Sequence, residues 1–71
     1  MDFMKVICDY AKTDACILMY RVEHIATDVF TTYEDIDEDC FRLNIFPMGE
    51  VISEESVLKI ADAVRDYLFD E

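Results

Sequence analysis

Tryptophan is absent from this chain, and glycine, proline and histidine occur once each. A single glycine leaves little material for a phosphate-cradling loop, which needs several residues free to adopt unusual backbone conformations. The one histidine, His24, has no nucleophile near it in sequence, and Ser53 and Ser56 stand where helix capping accounts for them, so nothing here assembles a Ser-His-Asp arrangement. Cys8, Cys16 and Cys40 are odd in number and form no C-x-x-C pair, which speaks against a disulfide framework and against zinc; they read as reduced core thiols. No apolar run approaches the roughly 20 residues that cross a bilayer, and no basic segment followed by an apolar stretch opens the chain. The expectation is a soluble cytoplasmic protein that is not an enzyme and carries no cofactor or metal.

Positive charge is the scarcest property of all. Six Lys and Arg face 17 Asp and Glu, a net charge of −11 on 71 residues. The excess is uneven: residues 1–27 carry a net −1, whereas 28–49 and 50–71 carry −5 each. Such a surface is repelled by anionic lipid and by nucleic-acid phosphates, so neither a membrane nor DNA or RNA is expected as a direct partner.

What is present is apolar. Hydrophobic residues make up 54% of the chain, with four Tyr and five Phe among them, and acidic disordered chains are poor in both classes. The chain should therefore fold, as a single domain over residues 1–71. A domain of this size buries only about 60% of its unfolded surface, so part of the apolar surplus is expected to be covered by a second copy in a homodimer.

The spacing predicts α+β architecture: a small antiparallel sheet of three to four strands with a C-terminal amphipathic helix packed on it. Val57, Ile60, Ala61, Val64 and Leu68 recur at helical spacing after Ser53, a good N-cap, and Glu54 and Glu55 fall in the first turn where the dipole favours acids; a helix is expected over 54–69. Phe41 to Phe46 alternates apolar and polar like a half-buried strand and ends at Pro47-Met48-Gly49, with Val51 and Ile52 as a short returning strand. Ala15 to Glu23 also reads as a strand, paired with Asp28 to Tyr33 through a hairpin loop at His24 to Thr27. The first dozen residues match both periods. A short helix capped by Asp2 is favoured, giving the order α-β-β-β-α, with β-β-β-β-α as the other possibility.

Two acidic patterns stand out. In the run Glu34-Asp35-Ile36-Asp37-Glu38-Asp39, three aspartates occupy the first, third and fifth places of a calcium loop, but Cys40 stands where that loop needs Gly and Phe46 where it needs Glu. If extended, alternate residues of this run lie about 6.6 Å apart. On the C-terminal helix Asp62, Asp66 and Asp70 step about 6 Å at a time along one face. Both pitches are close to the separation of successive phosphates on a nucleic-acid strand. Like-charge neighbours at that spacing cost a few tenths of a kcal/mol per pair, so an uncompensated stripe suggests use as a binding surface for basic side chains.

In length, charge and these acid-rich segments, Tyr33 to Asp39 and Asp62 to Glu71, the chain resembles the small acidic DNA-mimic proteins that bacteriophages use for host takeover and for blocking host defences, among them antagonists of the histone-like protein HU. The resemblance implies a dimer whose acidic faces occupy the DNA-binding surface of a basic host protein. The carboxylates expected to meet that partner are Glu34, Asp35, Asp37, Glu38, Asp39, Glu54, Glu55, Asp62, Asp66 and Asp70. The alternative is an inhibitor or adaptor that binds RNA polymerase or a nuclease complex through an apolar patch with an acidic rim, using aromatics such as Tyr33, Tyr67 or Phe69.

Overall fold

A computed structural model describes residues 2–69 of the chain, without the side chain of Phe69. The element order is β1 (Met4–Asp9), α1 (Ala15–Ile25), β2 (Val29–Asp35), β3 (Cys40–Pro47) and α2 (Glu54–Phe69). The three strands form one antiparallel sheet in the order β1-β3-β2, so the last strand in sequence is the central one and α1 carries the chain from one edge to the other. The α+β class is as expected, with three strands, and the C-terminal helix runs over the expected residues.

Registers Met4↔Ile45 through Asp9↔Cys40 and Val29↔Pro47 through Asp35↔Phe41 decide which side chains share a face. Phe41, Leu43 and Ile45, all 0% exposed, point to the helical side together with Cys8, Val29 and Thr31. There they meet Leu18 and Val22 of α1, Ile60 and Val64 of α2, and Ile52 and Ala26 from the connections. On the other side lie Lys5, Ile7, Thr32, Glu34, Arg42, Asn44 and the stacked pair Phe30 and Phe46, whose ring centroids are 5.3 Å apart. No element of the described chain covers this second face. Pro47 falls where β1 has already stopped pairing, so its missing N–H leaves no gap in the ladder to β1.

The segment Ala15 to Glu23 is a helix, not the expected strand. Its residues are apolar at almost every position, so alternation and helical spacing both fit, and its N-terminal end decides. The Asp14 carboxylate accepts the N–H groups of Cys16 (2.9 Å) and Ile17 (3.2 Å), a helix N-cap, and Ala15, Leu18 and Val22 then fall on one buried line. His24 and Ile25 form the last turn of α1 rather than a hairpin loop. Glu23 fastens the helix to the sheet by accepting both the N–H and the hydroxyl of Thr31.

The first dozen residues correct the other way. Met4, Val6 and Cys8 turn inward and Lys5, Ile7 and Asp9 outward, the burial pattern of a strand. Pairing with β3 satisfies backbone groups that would otherwise stand open on the edge of β3 away from β2, which a free helix cannot do. What is helical in this segment is one turn after the strand, where Lys12 and Thr13 donate their N–H groups to the Asp9 carbonyl at 3.0 and 3.1 Å. Asp2 caps nothing.

Val51 and Ile52 form no strand; Ile52 inserts into the core and Val51 is exposed. Gly49 has an ordinary backbone conformation and open space around the position of a Cβ. Ser53 caps α2 as expected, its Oγ accepting the Ser56 N–H at 3.2 Å. The thiols divide: Cys8 is a core residue, Cys40 is partly covered, and Cys16 is exposed on α1, contrary to the expectation that all three are buried.

Candidate functional site

The acidic run does not stay extended. β2 ends at Asp35 and the chain turns back at Ile36 to Asp39, with the N–H groups of Ile36 and Asp37 both donating to the Cys40 carbonyl (3.1 and 3.3 Å). Asp37 makes this turn. Its Oδ1 accepts the N–H groups of Asp39 (2.7 Å) and Cys40 (3.1 Å), which holds its carboxyl below the usual range. The even pitch of about 6.6 Å is therefore replaced by a fan of carboxylates around a hairpin tip.

Strand alternation separates the first two members of the run. Glu34 points to the open sheet face, where the Asn44 amide and the Arg42 guanidinium each donate to it at 3.2 Å and hold its carboxyl low. Asp35 points to the helical side and accepts the Tyr10 hydroxyl, a bond that, with partial burial, pushes the Tyr10 phenol up to about 12. Asp9 joins the same tip because β1 places it opposite Cys40, while Tyr10 donates its N–H to the Asp39 carbonyl at 2.9 Å. Asp9, Asp35, Asp37, Glu38 and Asp39 form no ion pair among the described residues. Asp9 was not among the residues expected to meet a partner, since no spacing signal connects it to the run until the β1 and β3 register is known.

The remaining expected carboxylates lie elsewhere. Glu54 and Glu55 belong to the first turn of α2, beside the Pro47 end of β3. That end is about 23 Å from the hairpin tip along an eight-residue strand. Glu55 pairs with Lys59 at 3.0 Å. Asp62 is exposed and pairs with Arg65 at 2.8 Å, and Asp66 borders a groove between α1 and α2 that also holds Tyr20, Arg21 and His24. Asp70 lies outside the described residues. The ten carboxylates thus form no single stripe: four converge on the tip, Glu34 beside them is neutralised, and the α2 acids are separated and half compensated.

Three tyrosines meet near the tip. Tyr10 and Tyr33 rest on the buried Phe41, at centroid distances of 4.8 and 6.0 Å, and Tyr67 of α2 lines the same cleft, with the Arg21 guanidinium 5.1 Å from its ring centre. No group of three or more His, Cys, Asp or Glu side chains among the described residues is placed to hold a metal ion. No described helix is long and apolar enough to cross a membrane. Compared with protein-family models, with curated proteins and with solved structures, the chain matches none.

Proposed function

We propose that the protein is a non-enzymatic inhibitor that uses its carboxylates in place of nucleic-acid phosphates and occupies the DNA-binding surface of a basic host protein, the histone-like HU being the first to test. The observation that carries this reading is the hairpin tip, where Asp9, Asp35, Asp37, Glu38 and Asp39 form no ion pair among the described residues. Fixed anions on a rigid turn lose little entropy when they meet Lys and Arg, and they attract such a partner over about 8 Å at physiological ionic strength. The reading takes the tip as the main contact surface, with exposed Asp62 and Asp66 as a second element.

The reading takes the protein as a homodimer in the cytoplasm of the host, where three free thiols would remain reduced. Support for the dimer comes from the uncovered sheet face. Phe3, Ile7 and Phe30 are exposed on or beside it, and with Asp9 counted at the tip, Lys5 and Arg42 outweigh Glu34 there, so this face carries no negative excess on a chain of net −11. Two copies joined there escape most of their mutual repulsion and keep both tips outward.

The test is competition. HU bound to a labelled DNA duplex is titrated with the protein at several salt concentrations. Release of the duplex that weakens steeply as salt rises is expected, and Glu38→Lys combined with Asp39→Lys should remove it while leaving the circular dichroism spectrum unchanged. Release unaffected by salt and by these reversals would move the weight to binding through exposed aromatics; no release at all would remove HU as the partner.

A further inference from the structure

The cleft near the hairpin tip has a volume of about 440 Å³ and is lined by Tyr10, Tyr33, Tyr67, Lys12, Thr13 and Asp14 among others. Its composition differs from the rest of the acidic surface: three phenol rings converge beside carboxylates. Two of the rings are braced by a core residue, since Phe41 is fully buried and carries Tyr10 at a 44° tilt and Tyr33 edge-on at 80°. Rings fixed in this way lose little freedom when a ligand stacks on them.

The polar groups favour a cation. Asp35 accepts the Tyr10 hydroxyl, which pushes electron density into that ring and strengthens its attraction for positive charge. Asp14 uses Oδ1 to cap α1, and its second oxygen has no partner among the described residues. Thr13 is 6% exposed, and its buried hydroxyl has no hydrogen bond among the described residues. Tyr67 already shows which group these rings accept, with the chain's own Arg21 guanidinium over its face. Lys12 lines the cleft but stacks on none of these rings and forms no ion pair among the described residues.

We infer that this tyrosine cleft is the anchor site for one arginine side chain of a protein partner, its guanidinium stacked on Tyr10 and Tyr33 and bonded to the free oxygen of Asp14. The inference rests on the reading of the partner as a basic protein and adds a point of attachment to it. A planar guanidinium matches both demands, ring stacking and directed hydrogen bonds, whereas a lysine ammonium is more strongly hydrated and bonds as a point charge. The tip carboxylates supply attraction at a distance, and the cleft selects arginine over lysine at contact.

The experiment is an NMR titration of the full chain with N-acetyl-arginine methylamide, run beside N-acetyl-lysine methylamide and beside decalysine. The arginine probe is expected to shift the amides of residues 10–16 and of Tyr33 saturably, and at least threefold more tightly than the lysine probe. Tyr33→Leu should abolish saturation. Should that variant fail to fold, Asp14→Asn keeps the capping oxygen, removes the charge, and should weaken the arginine probe severalfold. Equal affinity for the two amino-acid probes, shifts spread evenly over all carboxylates, or undiminished binding in both variants overturns the inference. Decalysine separates the two ideas: if it binds with a steep salt dependence while the arginine probe finds no site, the acidic tip stands and the anchor falls; a saturable arginine site without decalysine binding keeps the anchor and removes the tip.

Discussion

The carboxylate of Asp28 accepts the Ser56 hydroxyl and the Ser53 N–H, so the residue that leads into β2 also ties down the first turn of α2. These bonds are stronger to the ionised acid and hold its carboxyl below the ordinary value of 3.8. A lowered folded value means stability that is complete above the unfolded value and lost as pH falls through the folded one. Asp28→Asn should therefore be less stable than the parent at pH 7, with the difference shrinking below about pH 4. Urea midpoints of both proteins between pH 7 and 2.5 check this; a difference independent of pH would mean that the charge of Asp28 has no part in it.

Tyrosine ionisation offers a second check near the tip. Tyr10, held up to about 12 by its bond to Asp35, should ionise later than an ordinary phenol near 10. Absorbance at 295 nm during alkaline titration should show a late tyrosine step from Tyr10, and Asp35→Asn should bring it forward. The neutral phenol is the form favoured by folding, so this contribution is present below pH 10 and lost as pH rises through 12.

The thiols should label in a fixed order. Burial pushes Cys8 up to about 11, and burial together with Asp37 raises Cys40, so both are poorer in thiolate than an ordinary cysteine. Iodoacetamide at pH 8 should modify exposed Cys16 first, Cys40 slowly, and Cys8 only after unfolding, as read by peptide mass spectrometry. Rapid labelling of Cys8 in the native protein would contradict the assignment of β1.

The helical reading of residues 15–25 is tested by contrast between neighbours. Leu18 is 0% exposed and Ile17 is 52% exposed. Leu18→Ala should cost about 2–5 kcal/mol, a large share of the roughly 4–10 kcal/mol available to a chain of this length, and Ile17→Ala less than about 1 kcal/mol. A strand would bury alternate residues as well, so the deciding variant is Asp14→Ala, which should lose about 0.5–2 kcal/mol only if it caps a helix.

The proposed homodimer has a direct assay. Sedimentation equilibrium should give twice the chain mass, and Ile7→Glu with Phe30→Glu should give a folded monomer, because both side chains lie on the open sheet face. A monomeric parent protein would remove the dimer from the proposal.

These checks follow the division between what was readable from sequence and what was not. α2 was legible because Ser53, two first-turn acids and a regular apolar stripe all point the same way. β3 was legible because its alternation ends at the Pro47-Met48-Gly49 turn signal, and β2 because of its β-branched and aromatic residues. Residues 15–23 misled because an apolar stretch has no contrast between its faces, and the informative residue, Asp14, lies just before it. The acids were visible as a run and a stripe, but their orientation was not, since Glu34 and Asp35 take opposite faces only once β2 is a strand and Asp9 reaches the tip only through β1. The tyrosines come from β2, α2 and the turn after β1, so their convergence is a property of topology that no window of sequence contains.

The placement of β3 between β1 and β2 has a consequence for how the protein is made. On the ribosome, β1 is made before the other described elements and must wait through the synthesis of a helix, a second strand and a hairpin before its sheet neighbour β3 exists. Until then both finished strands lack a partner, and a nascent chain stopped before Cys40 has no sheet at all. Folding is therefore a single late event, slowed by the long loop that must close between β1 and β3. The interval in which the growing chain is vulnerable to proteases and to self-association lasts beyond the synthesis of β3, until Ile60 and Val64 of α2 can complete the core.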